Sequence, residues 1–227
     1  MIKKMSTIAG AMALGAVSYA QPDKPGAWYS YFGSQQLNNT NWNWHNELQY
    51  RNFNAVGDLE QLLLRTGIGY NLTPGNNNIL FGYGFIHGRP YLKAGFDERI
   101  TVNEHRLFQQ FITRQSISRV NVQHRYRFEQ RFLPDNFKLR FRYLLGLTVP
   151  VNKAKMDAKA FYVSAYNEIF IHTDGNLFDR NRSFAGVGYV IKKELRFDVG
   201  FMRQMLAQDS RNQVMISLYN NLPVNFN

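Results

Sequence analysis

Between Arg119 and Phe132 the chain alternates with a period of two. The odd positions Arg119, Asn121, Gln123, Arg125, Arg127, Glu129 and Arg131 are polar or charged. The even positions Val120, Val122, His124, Tyr126, Phe128, Gln130 and Phe132 are mostly apolar or aromatic. A strand turns successive side chains to opposite faces, so the segment has one charged wall and one greasy wall. At about 3.3 Å per residue it spans roughly 46 Å, or ~32 Å when tilted by ~45°, which is enough to cross a bilayer.

The period returns along the chain. Trp42, Trp44, Leu48 and Tyr50 alternate with Asn43, His45, Glu47, Gln49 and Arg51, and Leu62, Leu64, Thr66, Ile68, Tyr70 and Leu72 alternate with Gln61, Leu63, Arg65, Gly67 and Gly69. Further alternating runs cover 79–86, 137–145, 194–201 and 213–218, and less regular ones fit 27–37, 103–115, 160–172 and 182–191. Turn residues separate them, as in Thr73-Pro74-Gly75-Asn76-Asn77, Leu133-Pro134-Asp135-Asn136 and Asp174-Gly175-Asn176, and the longest break is 88–102. No helical period of useful length intervenes.

The expected fold is therefore all-β: an antiparallel, transmembrane, up-and-down β-barrel of about 10–12 strands. The tally is eleven, but bacterial single-chain barrels use even numbers, so ten or twelve is expected. A secreted β-sandwich is the competing fold. Its strands are usually about five or six residues long, shorter than these. The last strand is read through 212–226, with Val214, Ile216, Leu218, Leu222, Val224 and Phe226 in one phase.

The N-terminus reads as a secretory signal peptide over 1–20. Lys3 and Lys4 precede the apolar, small-residue run Ile8–Val17, and Val17-Ser18-Tyr19-Ala20 suits a signal peptidase. The expected mature chain, 21–227, is the barrel, with a net charge of +9 once the two lysines are taken from +11. There is no cysteine. The expected location is the bacterial outer membrane, since a barrel crosses on alternating strands without a long apolar helix.

The Trp28 start, the strand Glu47-Leu48-Gln49-Tyr50-Arg51, the strand Arg125-Tyr126-Arg127-Phe128-Glu129-Gln130-Arg131-Phe132 and the following Leu139-Arg140-Phe141-Arg142-Tyr143 carry a resemblance over roughly 25–226. Together with the signal peptide they resemble the domain-of-unknown-function 2490 family of predicted outer-membrane β-barrels. That resemblance implies fold and location, and brings no established activity or catalytic residue.

The candidate site is the charged wall, read as a lumen lining of Glu47, Arg51, Arg65, Arg125, Arg127, Glu129, Arg131, Arg140, Arg142, Glu168, Glu194, Arg196 and Asp198. Two roles stay open for it. Arg–Glu ladders can plug a narrow barrel, or an arginine-rich lumen can make a narrow anion-preferring passage. Glycines on the same wall (Gly67, Gly69, Gly82, Gly84, Gly186, Gly188, Gly200) suit a crowded, curved interior.

Two other functions compete: a lipid- or lipopolysaccharide-modifying hydrolase, and a barrel subunit of a secretion or uptake assembly. A hydrolase needs a nucleophile beside a base and an orienting group. Glu104-His105, His172-Thr173-Asp174 and Ser164 are the available pieces, without a compact serine–histidine motif. No histidine spacing suits a metal, and no cofactor is expected. Nucleic acid is not an expected partner, because the basic residues alternate inward. The expected partners are outer-membrane lipid, lipopolysaccharide (for which Lys153, Lys155 and Lys159 lie in a long loop) and the barrel-assembly machinery. A membrane-protein partner is left open.

Overall fold

A computed structural model of the chain describes residues 25–73, 75–92, 97–173 and 177–226. The signal-peptide segment and Asp174 lie outside the described residues. Within them are eleven strands and no helix. The strands are β1 (Gly26–Gln36), β2 (Trp42–Asn52), β3 (Leu59–Thr73), β4 (Asn77–Gly88), β5 (Val102–Ile117), β6 (Val120–Leu133), β7 (Asn136–Pro150), β8 (Phe161–His172), β9 (Phe178–Lys192), β10 (Leu195–Leu206) and β11 (Ser210–Asn220).

Each strand pairs antiparallel with the next, and β1 closes on β11 to complete a barrel. Eleven strands that alternate in direction leave the first and last running the same way. The closing seam is accordingly parallel, from Gly26↔Gln213 to Gly33↔Asn220. Eleven matches the tally read from the sequence and lies within the expected 10–12, while the expected even count is overturned. A parallel ladder is only slightly less stable per residue than an antiparallel one, so an odd barrel can close.

The hairpins follow local turn chemistry. Asn38 and Asn39 take left-handed φ values of 45° and 57° between β1 and β2, a conformation that asparagine tolerates better than most side chains. Only two residues, Pro134 and Asp135, join β6 to β7. Arg119 stands in the two-residue turn before β6 and is not on the strand as the alternation implied. β11 is also shorter than expected, ending at Asn220. Beyond it Val224 forms an isolated parallel bridge to Leu37, so the tail prolongs the seam before Phe226.

The barrel has opposite polarity on its two faces. Large apolar side chains stand exposed outside, among them Phe201 at 71%, Val187 at 64% and Trp42 at 49%. Inside, Glu129 and Gln213 are both at 0%. The interior divides into two sectors. Along β8 to β11 and β1 an apolar cluster of Trp28, Phe184, Met202 and Met215 packs with Tyr166. The inner faces of β2 to β7 hold most of the buried arginines and glutamates.

Glycine makes room for this filling. A Cβ on Gly200 would lie 2.3 Å from the Ala185 carbonyl oxygen, and one on Gly82 would lie 2.4 Å from Phe108 Cζ. The β9–β10 and β3–β4 pairs come close to large inward rings only because these positions lack a side chain.

Candidate functional site

Glu129 is the centre of the charged sector. It lies on β6 opposite Arg140 of β7, and two residue pairs along the ladder Arg127 faces Arg142. Arg140 donates Nε and Nη2 to Glu129 Oε2 at 2.9 and 2.5 Å, and Arg142 donates Nη1 to Oε1 at 2.7 Å. Arg65, Arg106 and Arg127 reach the same carboxylate at 3.8, 3.9 and 3.8 Å. Five guanidiniums from four strands thus converge on one fully buried acid.

Further carboxylates extend the network around the wall. Glu168 of β8 accepts from Arg142 Nη2 and Arg125 Nη2, both at 2.7 Å. Glu104 of β5 accepts from Arg106 Nε at 2.6 Å and Arg131 Nε at 2.5 Å. Glu47 of β2 accepts from Arg65 Nη1 at 2.6 Å. Asp179, at the β8–β9 register shift, binds Arg140 Nη1 at 3.1 Å and lies 3.4 Å from His172.

Nine buried arginines stand against five buried carboxylates among the described residues, so paired carboxylates cannot balance the interior. Aromatic rings meet part of the surplus. Arg51, with no carboxylate within ion-pair distance among the described residues, lies 3.8 Å above the Trp28 ring, and Arg182, likewise without one among them, lies 4.8 Å from it. Phe170 receives Arg142 and Arg182 at 4.4 and 4.7 Å, and Phe108 receives Arg127 at 4.7 Å. A desolvated guanidinium over an aromatic face gains about 2 kcal/mol from the ring quadrupole. Amide oxygens bind three of the same guanidiniums: Gln49 and Gln61 accept from Arg51, Gln110 from Arg127, and Gln204 from Arg182.

Of the thirteen residues read from the sequence as a lumen wall, nine belong to this network of ion pairs: Glu47, Arg65, Arg125, Arg127, Glu129, Arg131, Arg140, Arg142 and Glu168. Arg51 sits beside it on Trp28. Arg196 and Asp198 lie apart on β10, where Arg196 faces the Tyr219 ring at 4.8 Å and Ser164 Oγ donates to Asp198 Oδ2 at 3.4 Å. Glu194 is placed differently. It stands in the turn between β9 and β10 and makes no ion pair among the described residues. Its carbonyl accepts from Asn221 N at 2.7 Å. The parity that put it on the charged wall fails because the ladder shifts register at Leu195/Arg196.

Sequence reading missed Glu104, Arg106, Asp179, Arg180, Arg182, Arg211 and the three rings. The parity of Glu104, Arg106 and Gln110 on β5 signalled the wall, but Phe108 interrupts it with an inward aromatic.

The pieces that suggested hydrolysis do not converge. Glu104 points into the barrel, while the next residue, His105, points out and lies 2.5 Å from Tyr83 Oη. No serine–histidine hydrogen bond occurs among the described residues, and none of them form a group of three or more metal-ligating side chains. His124 also faces outward, 2.9 Å from Tyr143 Oη.

The outer wall is concave over β2 to β8. An apolar groove of about 940 Å³ there is lined by Ile68, Phe81, Phe111, Tyr126, Phe141 and their neighbours.

No curated protein and no solved structure matches the chain. A family model described as "Protein of unknown function (DUF2490)" matches residues 25–215, which takes in ten complete strands and the Glu129 network. The chain therefore belongs to the DUF2490 family, whose function is unknown.

Proposed function

We propose that this protein is an integral outer-membrane β-barrel, exported through a signal peptide at 1–20, whose lumen is closed by its own side chains. The observation that carries the reading is the inverted polarity. In water, arginine and glutamate belong outside and large aromatic and aliphatic side chains inside. Here Glu129, Arg127 and Arg140 are buried while Phe141, Tyr126 and Phe81 are about half exposed. Hydrocarbon around the barrel accounts for both faces at once. Strand lengths of 11–16 residues match a tilted crossing of a hydrocarbon layer about 30 Å thick.

The outward aromatics support it further. Phe161, Tyr189 and Phe197 pack side by side near one end of the barrel, and Phe132 packs on Phe137 near the other. Such belts suit the two membrane–water interfaces. The apolar groove over β2 to β8 is a natural seat for acyl chains.

Closure follows from the filling. A barrel slightly wider than the eight-stranded case holds Phe108, Phe170 and Met202 at or below 1% exposure, together with the charged network. The role is structural, as a membrane scaffold. The arginine surplus favours one second reading, a narrow anion-preferring passage. Heat-modifiable migration of detergent-extracted protein tests the membrane barrel, and a mature chain that stays soluble without detergent defeats it. Planar-bilayer recording separates plug from passage.

A further inference from the structure

The topology sorts exposed charge between the two ends of the barrel. One end carries the turns β1–β2, β3–β4, β5–β6, β7–β8 and β9–β10, and the other end carries the remaining connections. The first holds Arg119, Lys153, Lys155, Lys159, Lys192 and Lys193 against Asp157 and Glu194. Among the described residues, the second exposes Asp97, Glu98, Asp135 and Asp209, with Arg89 and Arg203 exposed there, Lys138 half-buried and Arg99 paired to Asp58.

The basic residues form one continuous arc. Arg119 Nη2 donates to the carbonyls of Val151 and Lys153 at 3.2 and 2.6 Å, tying the β5–β6 turn to the 151–160 loop. Lys159 N donates to Val190 O at 2.7 Å, tying that loop to the end of β9 beside Lys192. The loop is built, not slack. Asn152 bridges it through Lys159 O and Phe161 N, and Met156 packs on the buried Ala160, Tyr162 and Val190. Lys159 is held at φ +64°, a left-handed conformation that an ordinary side chain adopts at a cost. Adjacent to the arc on the outer wall lie Phe161, Tyr189 and Phe197.

We propose that this arc is a docking surface for the phosphate groups of lipid headgroups. The inference rests on the membrane reading above. With the aromatic trio at the interface, the cations stand at headgroup depth, and their charge complements phosphate.

The test uses the mature chain in an uncharged detergent, titrated with bisphosphorylated lipid A, its dephosphorylated form and inorganic phosphate, with bound lipid counted by native mass spectrometry. The bisphosphorylated lipid should bind at least tenfold tighter than the dephosphorylated form and should not be displaced by equimolar inorganic phosphate. At about fivefold per cation, K153Q/K155Q/K159Q/K192Q/K193Q should weaken it by roughly 3,000-fold, and K192Q/K193Q alone by roughly 25-fold. Equal binding of the two lipids, displacement by free phosphate, or unchanged binding by variants that keep heat-modifiable migration overturns the proposal. A heat-modifiable barrel indifferent to lipid phosphate sinks this inference alone, whereas a chain soluble without detergent sinks the membrane reading beneath it.

Discussion

Arg142 Nη1 donates to Glu129 Oε1 at 2.7 Å, joining β7 to β6 through a carboxylate with no solvent exposure. Through Nη2 the same guanidinium reaches Glu168 on β8. Three neighbouring strands are thereby tied from inside the barrel, and the tie depends on Glu129 remaining charged. Removing one side of a buried ion pair leaves its partners desolvated and uncompensated.

Glu129→Gln should therefore cost about 3–5 kcal/mol, since five arginines share that carboxylate. Urea unfolding of the barrel in detergent, followed by gel mobility, measures it. A loss under ~1 kcal/mol would mean that water already screens the network.

Trp28 should couple energetically to Arg51. Trp28→Leu keeps an apolar side chain but removes the aromatic face 3.8 Å from the guanidinium. A double-mutant cycle with Arg51→Gln should return about 1–2 kcal/mol of coupling. A coupling near zero would assign Trp28 to apolar packing alone.

Two of the wall glycines should differ in tolerance. Gly200→Ala places its methyl 2.3 Å from the Ala185 carbonyl oxygen, a backbone atom, and should cost roughly 1–3 kcal/mol. Gly84→Ala meets first the Arg65 Cγ at 3.1 Å, part of a long side chain that can yield, and should cost less. Unfolding midpoints of the two variants settle the order.

Reconstituted wild-type protein should give no step conductance in a planar bilayer. Steps whose anion preference falls in Arg127→Gln or Arg142→Gln would replace the plug with the passage.

Alternation alone made most strands legible, because outward Phe, Leu and Tyr repeat against inward Arg and Gly. It was least clear where the interior is itself apolar. Phe108 on β5, Phe170 on β8 and Phe184 on β9 put large apolar groups on the inner wall, so parity no longer separates the faces. The closing seam was also illegible, because the pairing of Trp28 with Met215 joins the two ends of the sequence and leaves no local trace. The arginine wall showed in the sequence; its aromatic partners did not, since a ring over a guanidinium has no spacing signature.

The central claim is a membrane-crossing barrel with a filled interior. Because the chain has no cysteine, single cysteines placed in turn from 122 to 131 on β6 can carry spin labels in lipid-reconstituted protein. Collisions with oxygen, which concentrates in lipid, and with a water-soluble nickel chelate then report what each face touches. Even positions such as 126 and 128 should collide with oxygen and not with the chelate, and odd positions such as 127 and 129 with neither. Chelate access at the even positions would contradict the membrane crossing, and chelate access at the odd ones would contradict the closed lumen.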